Sequence, residues 1–261
     1  MAKPKKKWGQ NFLRNRGAVE KIVAAVEPEP GDVIVEIGPG EGVLTGKLLE
    51  LGHPLVALEI DPELTGRLAA RFAGLDVRTA DALDAPLPEG PYRAVGNLPY
   101  NVGTPILRRV IADPNCRRAV FMLQKEVADR LVAKPGTEQY GYLTLYGQVF
   151  AEARILMRLG PKSFYPPPRV DSAVVVLDPL AQPRTTDREG LLELISTSFR
   201  MRRKKLINNL IGWRGLTRAD ILPVLTAAGV DPDIRAEQLS LAEVEGVRSC
   251  LFPFPTIGRV P

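Results

Sequence analysis

The stretch "VEIGPGEGVLT", residues 35–45, decides the fold. A short apolar run over residues 33–38 ends in glycines at alternate positions, Gly38, Gly40 and Gly42, and helical spacing follows over 42–52. Glycines in a strand-to-helix turn let the main chain approach a ligand and aim the helix N-terminus at it. The nicotinamide-dinucleotide fingerprint G-x-G-x-x-G/A fails at its last position, which is Val43.

Outward from this turn, strand and helix patterns alternate. A second strand spans 54–61, and a helix over 62–74 has Pro62 in its first turn and Gly74 after its end. Further strands are expected at 76–81, at 92–99 and at 116–124, with helices over 105–111 and 125–134. Two late strands, 153–160 and 172–179, are joined by "PKSFYPPPRVD" and predict an antiparallel pair at one edge. The alternation predicts an α/β fold, a doubly wound and largely parallel sheet. The segment 180–187 reads as a polar linker, and only helical patterns follow, at 188–199, 203–213, 218–229 and 240–251. The expected organisation is therefore residues 1–180 as the sheet domain with a basic N-terminal segment, and 187–261 as a small all-helical domain. The tail "FPFPTIGRVP" is Pro-rich.

Net charge is +5, unevenly placed. Residues 1–20 carry +5 and residues 196–220 carry +6, so the rest is acidic at −6. Two basic segments on an acidic body suggest a polyanionic partner, nucleic acid first. Cys116 and Cys250 are far apart and read as reduced thiols of a cytoplasmic protein. No apolar run approaches a membrane span, and the basic start lacks the apolar region of a secretion signal. No cluster has metal-ligand spacing, and the single His53 reads as a surface loop residue.

Two acids stand in register with the glycine turn. Glu59 ends the second strand, 21 residues after Gly38, and Asp81 ends the third. Open α/β sheets bind ligands at the C-terminal strand edge, where a carboxylate accepts from both hydroxyls of a ribose. The set resembles the Rossmann-like methyltransferases that use S-adenosylmethionine. That resemblance implies Gly38 beside the methionine part, Glu59 on the ribose and Asp81 by the adenine amine.

"NLPY", residues 97–100, follows the fourth strand at the same edge. The exocyclic nitrogen of adenine is a poor nucleophile, because its lone pair is delocalised into the ring. Acceptors aimed at its N–H groups hold it while the lone pair turns towards a methyl donor, acting by positioning and electrostatics. Asn97 offers a side-chain carbonyl, and Leu98 offers a main-chain one restricted by Pro99. Tyr100 offers a face on which an extruded base stacks. The tetrapeptide resembles the N/D-x-P-Y/F motif of amino-methyltransferases acting on DNA, RNA or glutamine. Phe164 is a candidate for the opposite wall of the pocket, in a loop stiffened by Pro166, Pro167 and Pro168. A core-facing role for Phe164, with Tyr165 as the wall, is the other reading. The start "KKKWGQNFLRNR" interleaves cations with aromatics, which suits phosphate contact and stacking.

In combination, "KKWGQNFL", "VEIGPGEGVLT", "ALEID", "GNLPYNVGTPIL", "FYPPPRVDSAVV", "FRMRRKKLINNL" and "RAEQLSLAEV" resemble the ribosomal RNA adenine N6,N6-dimethyltransferase family, KsgA type, over nearly the whole chain. The resemblance implies S-adenosyl-L-methionine as donor. It also implies dimethylation of two adjacent adenosines near the 3′ end of small-subunit ribosomal RNA, with a role in assembly of the immature small subunit. It implies donor contacts at Asn11, Leu13, Gly38, Glu59, Asp81 and Asn97, and a base pocket of Asn97, Leu98, Tyr100 and Phe164. RNA contacts are expected at Lys5, Lys6, Lys7, Arg200, Arg202, Arg203, Lys204 and Lys205, in a monomer. Trp8 and Gly103 depart from the family pattern without removing a proposed acceptor. The competing readings are a large-subunit methyltransferase of the macrolide-resistance type and an assembly factor on a vestigial methyltransferase fold.

Overall fold

The computed structural model describes residues 5, 8–181 and 187–251. Its centre is a seven-stranded sheet. The strands are β2 (Val33–Ile37), β3 (Leu55–Glu59), β4 (Asp76–Thr79), β5 (Tyr92–Asn97), β6 (Cys116–Gln124), β7 (Ala151–Leu159) and β9 (Ser172–Pro179), in the order β4-β3-β2-β5-β6-β9-β7. The first five run parallel, and β9 is antiparallel to both β6 and β7. The late strands thus form the expected antiparallel pair at one edge. Two short strands, β1 (Phe12–Leu13) and β8 (Phe164–Tyr165), pair antiparallel outside this sheet.

Both faces of the sheet are covered, as parallel sheets require. On one, Val95, Val120, Met122, Val174 and Val176 share a cluster with α1 (Arg16–Val26) and α2 (Thr45–Leu49). The alternate residues Ala94, Ala119, Phe121 and Val175 are equally buried. Helix α1 starts where the Asn15 side chain accepts from Ala18 N at 3.0 Å. Helix α3 (Pro62–Arg71) starts where Asp61 accepts from Glu63 N, with Pro62 at its first position. α2 is shorter than the 42–52 expected, because residues 40–44 turn through the positive φ of Gly40 (59°) and Gly42 (77°). A Cβ at Gly42 would lie 2.7 Å from the Phe72 ring, so packing as well as torsion holds glycine there.

The chain forms two compact units, and the division differs from a boundary at 180. Residues 129–150 belong with the described residues after 179, and residues 151–179 with the sheet. Within 129–150 lies α6 (Tyr142–Phe150), a helix the sequence reading missed. Its residues are aromatic and β-branched, which favours a strand by propensity. The rings instead stack at helical spacing, Tyr142 on Tyr146 at 5.9 Å and Tyr146 on Phe150 at 4.9 Å. In the same unit, Tyr140 donates from its hydroxyl to the Leu239 carbonyl at 2.5 Å. The helical patterns after 187 appear as α7 (Arg188–Ser198), α8 (Leu206–Leu210), α9 (Arg218–Ala227) and α10 (Leu241–Leu251). Among the described residues no helix is long and apolar enough to cross a membrane.

Candidate functional site

Gly38, Glu59, Asp81 and Asn97 all come from the C-terminal ends of the parallel strands β2, β3, β4 and β5. The ladder continues just past the strands and fixes each position. Gly38 N donates to Leu58 O at 2.9 Å, Ala80 N to Glu59 O at 2.9 Å, and Leu98 N to Met122 O at 3.1 Å. Beneath the glycine turn, Gly96 lets β5 lie close against β2, since a Cβ there would stand 2.3 Å from the Ile37 carbonyl oxygen. The sequence reading did not single out Gly96.

These ends border a cleft of mixed polar and apolar lining. Its apolar walls include Ile37, Leu58, Ile60, Val102 and Ile106, and its polar groups include Gln10, Asn11, Glu59, Asp81 and Asn97. Glu59 is 5 % exposed and accepts from Gly40 N at 3.1 Å and Asp61 N at 3.0 Å. Burial pushes its carboxyl above the usual range, with the Asp61 and Gly40 N–H groups opposing. Each oxygen keeps lone pairs for further donors. Asp81 is exposed at the rim, where it accepts from Leu83 N at 2.9 Å. An apolar slot with a buried carboxylate can hold a flat apolar ligand that carries hydroxyl donors.

Asn97 Nδ2 donates to the main-chain carbonyl of Asn11 at 2.7 Å. That contact commits the amide nitrogen and leaves Oδ1 as the acceptor at the cleft. Asn11 is itself held by a bond from its Nδ2 to Gly9 O at 3.2 Å. The Tyr100 hydroxyl bonds to Ser172 Oγ at 2.6 Å, which fixes the ring. Burial raises the Tyr100 pKa, with the Ser172 bond opposing, so this phenol stays protonated at neutral pH. Leu98 is buried at 1 % exposure and lines the cleft.

Two expected contacts sit differently. Phe164 is 4 % exposed and packs in the core cluster with Leu13, its cross-strand partner, so its side chain does not line the main cleft, whereas Leu13 borders a second groove with Gly38 and Asn97. The β1–β8 pairing explains this: successive strand residues point to opposite faces, and Tyr165, at 50 % exposed, points out. Lys5 is engaged by α3, with its Nζ 2.8 Å from Asp61 and 3.0 Å from Glu63. Gln10 reaches the same Asp61 at 3.3 Å. Burial raises the Asp61 carboxyl, but Lys5, Gln10 and Glu63 N outweigh it and the net shift is downward. Lys6 and Lys7 lie outside the described residues.

In the helical unit, Arg202 donates to the carbonyls of Glu138 and Tyr140 and faces Glu237, and Lys205 pairs with Asp233 at 2.6 Å. Arg200, Arg203 and Lys204 are exposed. Sequence reasoning also missed Ser172, Asp61 and Glu36. Glu36 is 1 % exposed on β2, accepts from Thr45 Oγ1 at 2.6 Å, and is pushed by burial up to about 7. Asp61 had a visible signal as the acid before a helix-starting proline, and Ser172 had none. Among the described residues no group of His, Cys, Asp and Glu is assembled to hold a metal ion.

Comparison with known proteins gives the family. A small-subunit ribosomal RNA methyltransferase A from Methylococcus capsulatus is 43% identical over 262 residues, covering 96% of this chain and 98% of that protein. The protein of the same description from Laribacter hongkongensis is 45% identical, covering 92% and 93%. A dimethyladenosine transferase from Plasmodium falciparum superposes with a TM-score of 0.80 at 25% identity, covering 90% of this chain and 95% of that one. The 23S rRNA methyltransferase ErmE superposes at 0.73 with 27% identity, covering 92% and 99%. The sequence model of the ribosomal RNA adenine dimethylases matches residues 1–245, and the chain belongs to that family.

Proposed function

We propose that this chain dimethylates N6 of two adjacent adenosines near the 3′ end of small-subunit ribosomal RNA, using S-adenosylmethionine, and takes part in small-subunit assembly. The observation that carries the proposal is the Asn97 amide, whose nitrogen is committed to Asn11 O and whose oxygen is left to accept from the target amine. S-adenosylmethionine supplies an electrophilic methyl group from a sulfonium centre. The chain's residues do the rest. Glu59 accepts from the ribose and Asp81 serves the adenine end of the cleft. Asn97 Oδ1 and the Leu98 carbonyl hold the target N–H groups and direct the nitrogen lone pair at the donor. Tyr100 stacks on the extruded base, with Phe164 backing the pocket from the core. The nitrogen becomes cationic as it gains carbon and then releases its proton to water, so no strong base is needed.

The two solved structures do not separate small- from large-subunit RNA, being similar to the chain at 25% and 27% identity. The names of the more similar relatives, at 43% and 45%, favour the small subunit. The exposed cations Arg200, Arg203 and Lys204 support RNA contact by the helical unit, and a ribosomal substrate supports a cytoplasmic location. The test is labelled methyl transfer to unmethylated small subunits and, separately, to large-subunit RNA, with nucleoside analysis. Dimethyladenosine in the small-subunit RNA alone supports the proposal. Label only in large-subunit RNA refutes it. Tight subunit binding without methylation would leave an assembly factor.

A further inference from the structure

The β1–β8 ladder puts Phe164 in the core and turns the ring of Tyr165 outward at 50 % exposure. Exposed rings are ordinarily mobile, but this one is held. Its strand is paired with Phe12, and Arg14 N anchors to Ser163 O at 2.7 Å beside it. Prolines 166–168 stiffen the chain that follows. The Arg14 guanidinium lies 5.9 Å from the ring centroid, within cation–π reach. Arg14 also pairs with Glu41 at 2.7 Å and borders the groove that contains Gly38 and Asn97. Exposed cations flank both strands: Arg14 and Arg16 after β1, Lys162 before β8 and Arg169 after it.

We propose that Tyr165 is the stacking platform for the nucleotide next to the target adenosine, with Arg14, Arg16, Lys162 and Arg169 meeting the phosphates on either side. This rests on the reading of Asn97, Leu98 and Tyr100 as the base pocket. A fixed ring among cations suits single-stranded RNA, because every base has a face to stack and every linkage a charge to neutralise. Once one base is extruded, its neighbour loses a stacking partner, and an aromatic at the pocket rim replaces it. Tyr165 then positions the strand and takes no part in the chemistry.

The experiment compares the full-length native chain with Tyr165→Leu and Tyr165→Phe on unmethylated small subunits, measuring kcat and KM. Calorimetric affinity for S-adenosylmethionine and thermal unfolding serve as controls. Loss of one stacked base predicts a KM about tenfold higher for Tyr165→Leu, with kcat, donor affinity and melting nearly unchanged. Tyr165→Phe, which keeps the face, restores the native KM. A Tyr165→Leu enzyme within twofold of native overturns the platform alone, as does a Phe variant as impaired as Leu. If Asn97→Ala retains native turnover, the pocket reading fails, and the platform falls with it.

Discussion

Asn97 and Asn11, 86 residues apart in sequence, are joined by a 2.7 Å bond from the side-chain amide of the first to the main-chain carbonyl of the second. The bond orients the Asn97 carbonyl without using any other side chain. A change at Asn97 therefore removes an oriented acceptor and leaves the glycine turn and Glu59 in place. Asn97→Ala is expected to lower kcat by about 10²–10³, the usual loss for one preorganised electrostatic partner. Asn97→Asp is expected to be as poor, since a carboxylate oxygen would face the Asn11 carbonyl. Donor affinity should stay within a fewfold, and single-turnover kinetics beside calorimetry separates the two quantities. Native turnover in either variant would contradict the role.

Glu59 makes the opposite prediction. Its two oxygens already accept from Gly40 N and Asp61 N, so Gln at this site must turn an NH₂ group against one of those donors. Glu59→Gln should weaken S-adenosylmethionine binding about tenfold or more, with a smaller effect on kcat at saturating donor. Unchanged affinity by calorimetry would remove Glu59 from the donor site.

Gly96 tests the frame beneath the site. Its added Cβ would meet main chain, the Ile37 carbonyl, which cannot swing away as a side chain does. Gly96→Ala should push β5 from β2 and cost about 3 kcal/mol, lowering the melting temperature by roughly 10 °C. Gly52→Ala is the control: Gly52 has φ 74° and no atom within 4 Å of an added Cβ, so only torsional strain of about 1 kcal/mol applies. Equal melting of the two variants would mean the sheet absorbs the clash.

The parts of the site that local pattern can show were legible. Gly38, Glu59, Asp81 and Asn97 each close or follow a short apolar strand, and parallel strands bring their C-terminal ends to one edge. Contacts made by folding alone were not. Ser172 meets Tyr100 across 72 residues and lies in an unremarkable apolar run. Phe164 and Tyr165 could not be told apart, because a two-residue strand has too short an alternation to set its own face. Arg202 and Lys205 read as free cations in a basic run, yet acids and carbonyls of their own unit engage them. The helix α6 was hidden by propensity, which its i, i+4 ring pairs override.

Glu36 predicts a pH dependence of stability. Burial raises this carboxyl from 4.5 to about 7. The folded state therefore binds a proton more tightly than the unfolded state between those values. Its contribution is most favourable below pH 4.5, declines as pH rises to 7, and stays lower above that. The difference is on the order of 3 kcal/mol. Glu36→Gln keeps an acceptor for Thr45 and removes the buried charge. Relative to native, the variant should gain about 1–3 kcal/mol at pH 8 and little at pH 5, by urea unfolding at each. An offset independent of pH would mean Glu36 does not titrate in this range.

The basic run of the helical unit divides by its contacts. Arg203 and Lys204 are exposed, and among the described residues neither has an ion pair, whereas Arg202 bonds to the Glu138 and Tyr140 carbonyls. A cation free to meet phosphate releases counterions on binding, at about 0.7 of a unit in the salt slope per contact with single-stranded RNA. The double variant Arg203→Gln, Lys204→Gln should flatten log K against log salt by about 1–1.5 on small-subunit RNA while melting as native. Arg202→Gln should instead lower stability by about 1 kcal/mol through its lost carbonyl contacts. Filter binding from 50 to 300 mM salt, beside thermal unfolding, resolves the two effects. A double variant with the native slope would place the RNA elsewhere on the protein.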